Sequence, residues 1–253
     1  MSKHFCWTMI SIAALLIMTL LVLSTRMLME PERAWRYRQW FGGSGEPELG
    51  RYFRETTGHH LRVEPQLAEG SVLLFGDSHI QGMAVSEVAP RAVNFGIGMD
   101  TSRGLLMRLP YHPSREQAAA VIIEIGGNDW RWRDDAAIVA NLRAALDLIP
   151  ASVPVLLNAV LPVHAAQPQA SVRNTRVSAL NAQLSALCRQ RQHCEFLDIQ
   201  ALFASADGSL SDAYSQRDGL HLNVFGYLRW TALLRESLCR HGVAGSCLRV
   251  SLP

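Results

Sequence analysis

Four short segments hold residues whose types and spacing could carry out nucleophilic chemistry: Gly76-Asp77-Ser78-His79, Asn94-Phe95-Gly96-Ile97-Gly98-Met99-Asp100, Gly126-Gly127-Asn128-Asp129 and Asp218-Gly219-Leu220-His221. A serine hydroxyl is a poor nucleophile at neutral pH and needs a general base, a task that suits an imidazole. Ser78 is the candidate nucleophile and His221 the candidate base. Asp218, three residues before His221, is close enough to accept its Nδ1–H and fix the tautomer. Asn128 offers a side-chain amide to a developing oxyanion. Singly these segments are weak, because Gly-Asp-Ser and Gly-Gly-Asn-Asp are ordinary turn sequences. Together they supply a nucleophile, a base, an orienting carboxylate and an amide donor. The rival bases are weaker: His79 would have to fold back on its neighbour, and His164 has no acid near it in sequence.

The elements around these segments predict how they meet. From Ser71 onward, short aliphatic or β-branched runs alternate with longer segments of helical period, which predicts a parallel sheet flanked by helices. The strand candidates are Ser71 to Phe75, Ala92 to Phe95, Ala120 to Ile125, Val153 to Val160 and Glu195 to Asp198. Helices are expected near Thr101 to Leu109, Asp134 to Leu148, Ser171 to Arg191 and Val224 to Cys239. Asp134 and Asp135 mark one helix start and Pro150 its end. The expected fold class is α/β, a three-layer sandwich with a five-stranded parallel sheet. In such sheets functional groups gather at the carboxyl ends of the strands, where the first three segments lie.

The four segments, in this order, resemble blocks I, II, III and V of the SGNH (GDSL) hydrolase family over nearly all of Ser71 to Cys239. The second is most similar to the platelet-activating-factor acetylhydrolase branch, whose pattern reads NFGIGGDT where this chain has NFGIGMDT. Phe196-Leu-Asp198, Asp207-Gly208 and the run from Asp218 to Tyr227 are similar to that branch too. The resemblance implies a flavodoxin-like fold, an acyl-enzyme on Ser78, no cofactor and no metal. It also implies three oxyanion donors: the Ser78 amide, the Asn128 side chain and a glycine amide that falls on Met99 here. A methionine still offers an N–H, but if the position needs φ > 0 the side chain costs roughly 1 to 2 kcal/mol, or the loop shifts so that Gly98 takes over. A bulky Met99 is also expected to narrow the acyl side of the pocket and favour acetyl esters. Gly98, Trp130 and His164 are candidate substrate contacts, with packing the simpler role for Trp130 and Trp132. Asp77 and Asp100 are expected to hold loop amides, and Arg103 and Arg108 to be solvated or paired.

The remaining signals concern organisation. Residues 5–24 form 20 uncharged residues, enough for a helix of about 30 Å that spans a bilayer, and the bulky residues after it disfavour signal cleavage. The expected parts are a tail at 1–4, a transmembrane anchor at 5–24, a juxtamembrane segment and linker at 25–70, the catalytic domain at 71–240 and a tail at 241–253. Arg26, Arg33, Arg36 and Arg38 follow the apolar run, which by the positive-inside bias favours a cytoplasmic domain. Cys188, Cys194, Cys239 and Cys247 point the other way, because an even set in close pairs suits an oxidising compartment. Three pairings are open, and zinc with His193 or His241 matches no common spacing. The weight falls on a periplasmic or extracellular domain. Of 253 residues 49% are apolar, and the formal net charge is only +2. That excludes disorder and gives no support for nucleic-acid binding. The expected activity is a membrane-anchored serine esterase acting on short-chain esters of envelope glycans or lipids. The alternatives are an O-acyltransferase and a non-catalytic binding protein. The sequence leaves the oligomeric state open.

Overall fold

The computed structural model describes residues 12–22, 25 and 49–247. Contacts divide the chain into two units, Met1–Gly45 and Glu46–Pro253. In the first, residues 12–22 are helical and carry exposed apolar side chains such as Leu15 and Leu20. No helix among the described residues is long and apolar enough to cross a membrane. The expected anchor at 5–24 extends past this helical stretch at both ends, and its remainder lies outside the described residues.

The second unit is built on five strands: β1 (Val72–Gly76), β2 (Ala92–Gly96), β3 (Ala120–Glu124), β4 (Val155–Asn158) and β5 (Cys194–Leu197). All neighbours pair in parallel in the order β2-β1-β3-β4-β5. β1 and β3 are buried along their whole length, so they read as apolar runs without alternation. The main helices are α1 (Arg51–Val63), α2 (Ser78–Gln81), α3 (Ser102–Arg108), α4 (Asp135–Asp147), α5 (Ala170–Cys188), α6 (Ile199–Phe203) and α7 (Val224–Arg240). One face of the sheet packs Leu105, Ile138, Leu142, Leu180 and Leu184 from α3, α4 and α5. The other packs Ile80, Phe203, Trp230, Leu234 and Leu238 from α2, α6 and α7. Each such side chain contributes about 1.5 to 3 kcal/mol on burial, and the two faces make the three expected layers. Several helix starts are capped by the residues that mark them in the sequence. Thr101 accepts from the Gly104 N–H, Asp134 from Ala137, Asp198 from Ala201 and Asn223 from Gly226.

Two boundaries differ from expectation. The segment expected as a linker contains α1, whose Phe53, Thr57, His60 and Leu61 form a buried stripe. The His60 ring meets Phe95 edge-on at 5.2 Å, and the Glu64 carboxylate beyond α1 lies 2.9 Å from His112 Nδ1. The folded domain therefore begins before residue 71, not at it. At the other end the expected tail is partly folded in, with Val243 buried and Cys247 bonded to Cys239. Cys188 pairs with Cys194, so the local connectivity is the one adopted of the three open to the sequence. With these thiols in disulfides, the zinc alternative loses its thiolates.

Candidate active site

β1 ends at Gly76, Asp77 caps the short helix α2, and Ser78 is its first residue. The turn is tight because two backbones come very close. A Cβ on Gly76 would lie 2.3 Å from the Glu124 carbonyl oxygen, and one on Gly96 would lie 2.2 Å from the Gln81 nitrogen. Only glycine lets α2 drop between the ends of β2 and β3 and lift the Ser78 hydroxyl to the sheet edge. Asn94 fixes this contact by donating to the carbonyls of Ile80 (2.7 Å) and Met83 (3.1 Å).

The Ser78 Oγ lies 2.9 Å from His221 Nε2, and His221 Nδ1 lies 2.7 Å from Asp218 Oδ2. The other Asp218 oxygen accepts from the N–H groups of Leu220 (2.9 Å) and His221 (3.0 Å), so acid and base share one turn. Partial burial acts to raise the Asp218 carboxyl, but these amide bonds and the His221 ring bring it down to about 2. The loop is held from outside: the His164 N–H donates to the Gly219 carbonyl, and Gln167 Nε2 to the Asp218 carbonyl at 2.6 Å.

Three candidate donors, the N–H groups of Ser78 and Met99 and the Asn128 amide, belong to residues that line one cleft. Ile97 to Asp100 form a β-turn closed by the Asp100 N–H on the Ile97 carbonyl at 3.0 Å. Its third position, Met99, has φ 65°, the left-handed conformation that favours glycine there. The position therefore does need φ > 0, and the loop does not shift, since the Gly98 N–H is taken by Gln81 Oε1 at 2.9 Å. The N–H groups of Ser78 and Met99 meet no acceptor among the described residues. Asn128 Nδ2 is aimed by the Asp100 carbonyl (3.1 Å) and Asp77 Oδ2 (3.2 Å). Its neighbour Asp129 accepts from the Ser102 N–H at 2.9 Å and pairs with Arg133, tying the third segment to α3.

The remaining expectations resolve individually. Asp77 Oδ1 accepts the His79 N–H at 3.0 Å, and Asp100 forms a buried ion pair with Arg108 at 2.9 Å, both structural roles as expected. The His79 ring sits 5.4 Å from that of His221, and burial holds its pKa below the ordinary value. His164 is not at the cleft. It pairs with Asp212 at 2.7 Å, an acid 48 residues away in sequence, and buttresses the Asp218 loop. Met99 is 72% exposed at the lip of the cleft, so it borders the pocket and does not fill it. Gly98 and Trp130 do line the cleft, and Arg176 lies 5.2 Å over the Trp130 ring. The cleft itself encloses about 310 Å³ above Ser78.

Two residues here escaped sequence reasoning. Glu124, at the end of β3, is buried at the floor of the cleft beside Asp77. Burial first, and then the neighbouring Asp77 carboxylate, push its carboxyl well above the ordinary range. Its signal was a carboxylate closing an otherwise apolar strand. Gln167, the loop clamp, carries no local signal at all.

Residues 74–229 match the model of the GDSL-like Lipase/Acylhydrolase family. The chain belongs to this family. Like other GDSL hydrolases it is an ester-hydrolysing serine hydrolase, similar to the platelet-activating-factor acetylhydrolase branch. It is 28% identical over 177 residues to the Rattus norvegicus platelet-activating factor acetylhydrolase IB subunit alpha2, covering 66% of this chain and 76% of that one. The Bos taurus subunit alpha1 is 25% identical over 191 residues, 72% and 81% of the two chains. Among solved structures, a GDSL-like lipase from Bacteroides thetaiotaomicron superposes with a TM-score of 0.63 at 20% identity, over 73% of this chain and 97% of that one. An acetylxylan esterase from Geobacillus stearothermophilus gives 0.53 at 22% identity, over 72% and 98%. At these identities the structural likeness is one of fold.

Proposed function

We propose that this GDSL hydrolase cleaves short-chain, acetyl-type esters of glycans or lipids at the cell envelope, through an acyl-enzyme on Ser78. The observation that carries the reading is the continuous relay from Ser78 Oγ through His221 to Asp218, at 2.9 and 2.7 Å. His221 Nε2 takes the hydroxyl proton as Oγ attacks the ester carbonyl, and Asp218 steadies the imidazolium. The tetrahedral oxyanion faces the N–H groups of Ser78 and Met99 and the amide of Asn128. Collapse returns the proton to the departing alcohol. Water, deprotonated by His221, then releases the carboxylic acid and restores Ser78.

The acetyl preference draws support from the names of the relatives, two acetylhydrolase subunits and an acetylxylan esterase. The apolar run at 5–24 supports a membrane anchor, and the two disulfides support an exterior or periplasmic domain. The test is hydrolysis of para-nitrophenyl esters by the full-length chain in a neutral detergent. The expected result is faster cleavage of acetate than of longer acyl esters, abolished by Ser78→Ala and by His221→Ala. Serine-independent turnover or a preference for long acyl chains overturns it.

A further inference from the structure

The catalytic cleft opens sideways into a second groove of about 690 Å³, walled by Trp130, Trp132 and Val172. Met99, Asn128 and Trp130 line both hollows, so a group too large for the cleft extends into the groove. No acidic side chain lines the groove, but arginines do. Of the three arginines that line it, Arg131 is exposed to solvent and Arg176 pairs with Asp135 at 2.7 Å.

Arg173 differs. It lies in the first turn of α5 and lines both the cleft and the groove. Its side chain is half-buried, yet its guanidinium makes no ion pair or hydrogen bond among the described residues. Its position is fixed, because the next residue, Asn174, is bonded at both ends of its amide to Val163, accepting from the N–H and donating to the carbonyl at 2.8 Å each. A guanidinium partly withdrawn from water and without a protein partner gains from a substrate anion, which supplies the charge-assisted hydrogen bonds it lacks. Its planar fork suits two oxygens of one carboxylate or phosphate.

We propose that Arg173 selects substrates whose alcohol portion carries an anion, a carboxylate or a phosphate, adjoining the ester that Ser78 attacks. The aromatic walls suit a ring between that anion and the ester, such as a sugar unit. The proposal rests on the esterase reading for the position of the ester, and a binding measurement keeps the two separable.

The full-length chain is assayed with para-acetoxybenzoate, para-acetoxyphenyl phosphate and their neutral counterpart para-acetoxybenzamide. Wild type is expected to show higher kcat/KM for at least one anionic ester than for the amide, and the favoured anion identifies which is recognised. In Arg173→Gln that ratio is expected to fall by about tenfold or more, the effect of losing a charge-assisted hydrogen bond. Arg173→Lys is expected to recover part of it, and Arg189→Gln, a surface change at the residue that follows α5, to leave it unaltered. Calorimetry with para-hydroxybenzoate and para-hydroxyphenyl phosphate, the alcohol products, is expected to show anion binding that Arg173→Gln weakens. No charge preference, or one that survives Arg173→Gln, overturns the proposal. Absence of Ser78-dependent hydrolysis of every ester overturns the esterase reading instead, and the binding result then decides the fate of Arg173.

Discussion

Glu124 and Asp77 are two carboxyl groups in the lining of one cleft, the first raised well above the ordinary carboxyl range by burial and by its neighbour, the second accepting from the His79 amide and from Asn128. Because the folded state raises the Glu124 pKa, the folded protein holds a proton that the unfolded chain has released above about pH 4.3. Stability therefore falls as pH rises past that value, by up to about 1.4 kcal/mol per pH unit. Glu124→Gln keeps the shape and removes the titration. Thermal melts between pH 5 and 9, read as roughly 2 to 4 °C per kcal/mol, should show a flatter decline in the variant than in wild type. Equal slopes contradict this account.

Asn128 lines the cleft, with Nδ2 donating to Asp77 Oδ2 and to the Asp100 carbonyl. Asn128→Ala should lower kcat by about 10² to 10³, the usual loss for one such donor, with a smaller change in KM. A change confined to KM would place Asn128 in ground-state binding.

Met99→Gly supplies the residue that a left-handed third turn position favours. Relief of strain, roughly 1 to 2 kcal/mol, is offset in part by the freedom that glycine gains in the unfolded chain. The donor is a backbone N–H and survives, so para-nitrophenyl acetate turnover should stay within a few-fold of wild type. A loss of a hundredfold would show that the methionine side chain itself acts in the reaction.

Asp218, held down to about 2, stays ionised through mildly acidic pH. Any stability it lends is present above its free value near 3.9 and is lost only as pH falls toward 2. The acid limb of kcat/KM must therefore belong to another group. Asp218→Asn should depress the plateau by on the order of 10³ while an acid limb persists. Disappearance of that limb would assign it to the carboxylate.

Each disulfide closes a loop shorter than ten residues, Cys188 to Cys194 and Cys239 to Cys247. Chain-entropy reasoning gives about 2 to 3 kcal/mol apiece. Reduction should lower the melting temperature by roughly 5 to 10 °C per bridge, and each double Cys→Ser variant should reproduce its own share. An unchanged melting point would show that the bridges add nothing to the native state.

The strands and the catalytic residues were legible because their signals are local. Ser78 follows an unbroken apolar run, and Asp218 and His221 sit on one turn. The features that were missed depend on distant partners. Gly58, two threonines and two histidines hide α1, whose amphipathic spacing of Phe53, Thr57, His60 and Leu61 matters only once the sheet is there to cover it. His164 looked isolated because Asp212 reaches it only through the fold. Glu124 drew no attention in the sequence because its burial and its neighbour Asp77 exist only in the fold.

Acid and base on one turn make the catalytic machinery two rigid pieces with a single joint. The Asp218–His221 piece keeps its internal bond wherever the loop moves, and only the gap to Ser78 registers the motion. An inhibitor or neighbouring molecule that tugged on Gln167 or His164 would thus silence the serine like a lifted switch contact, leaving His221 and Asp218 paired with each other but out of reach of Ser78.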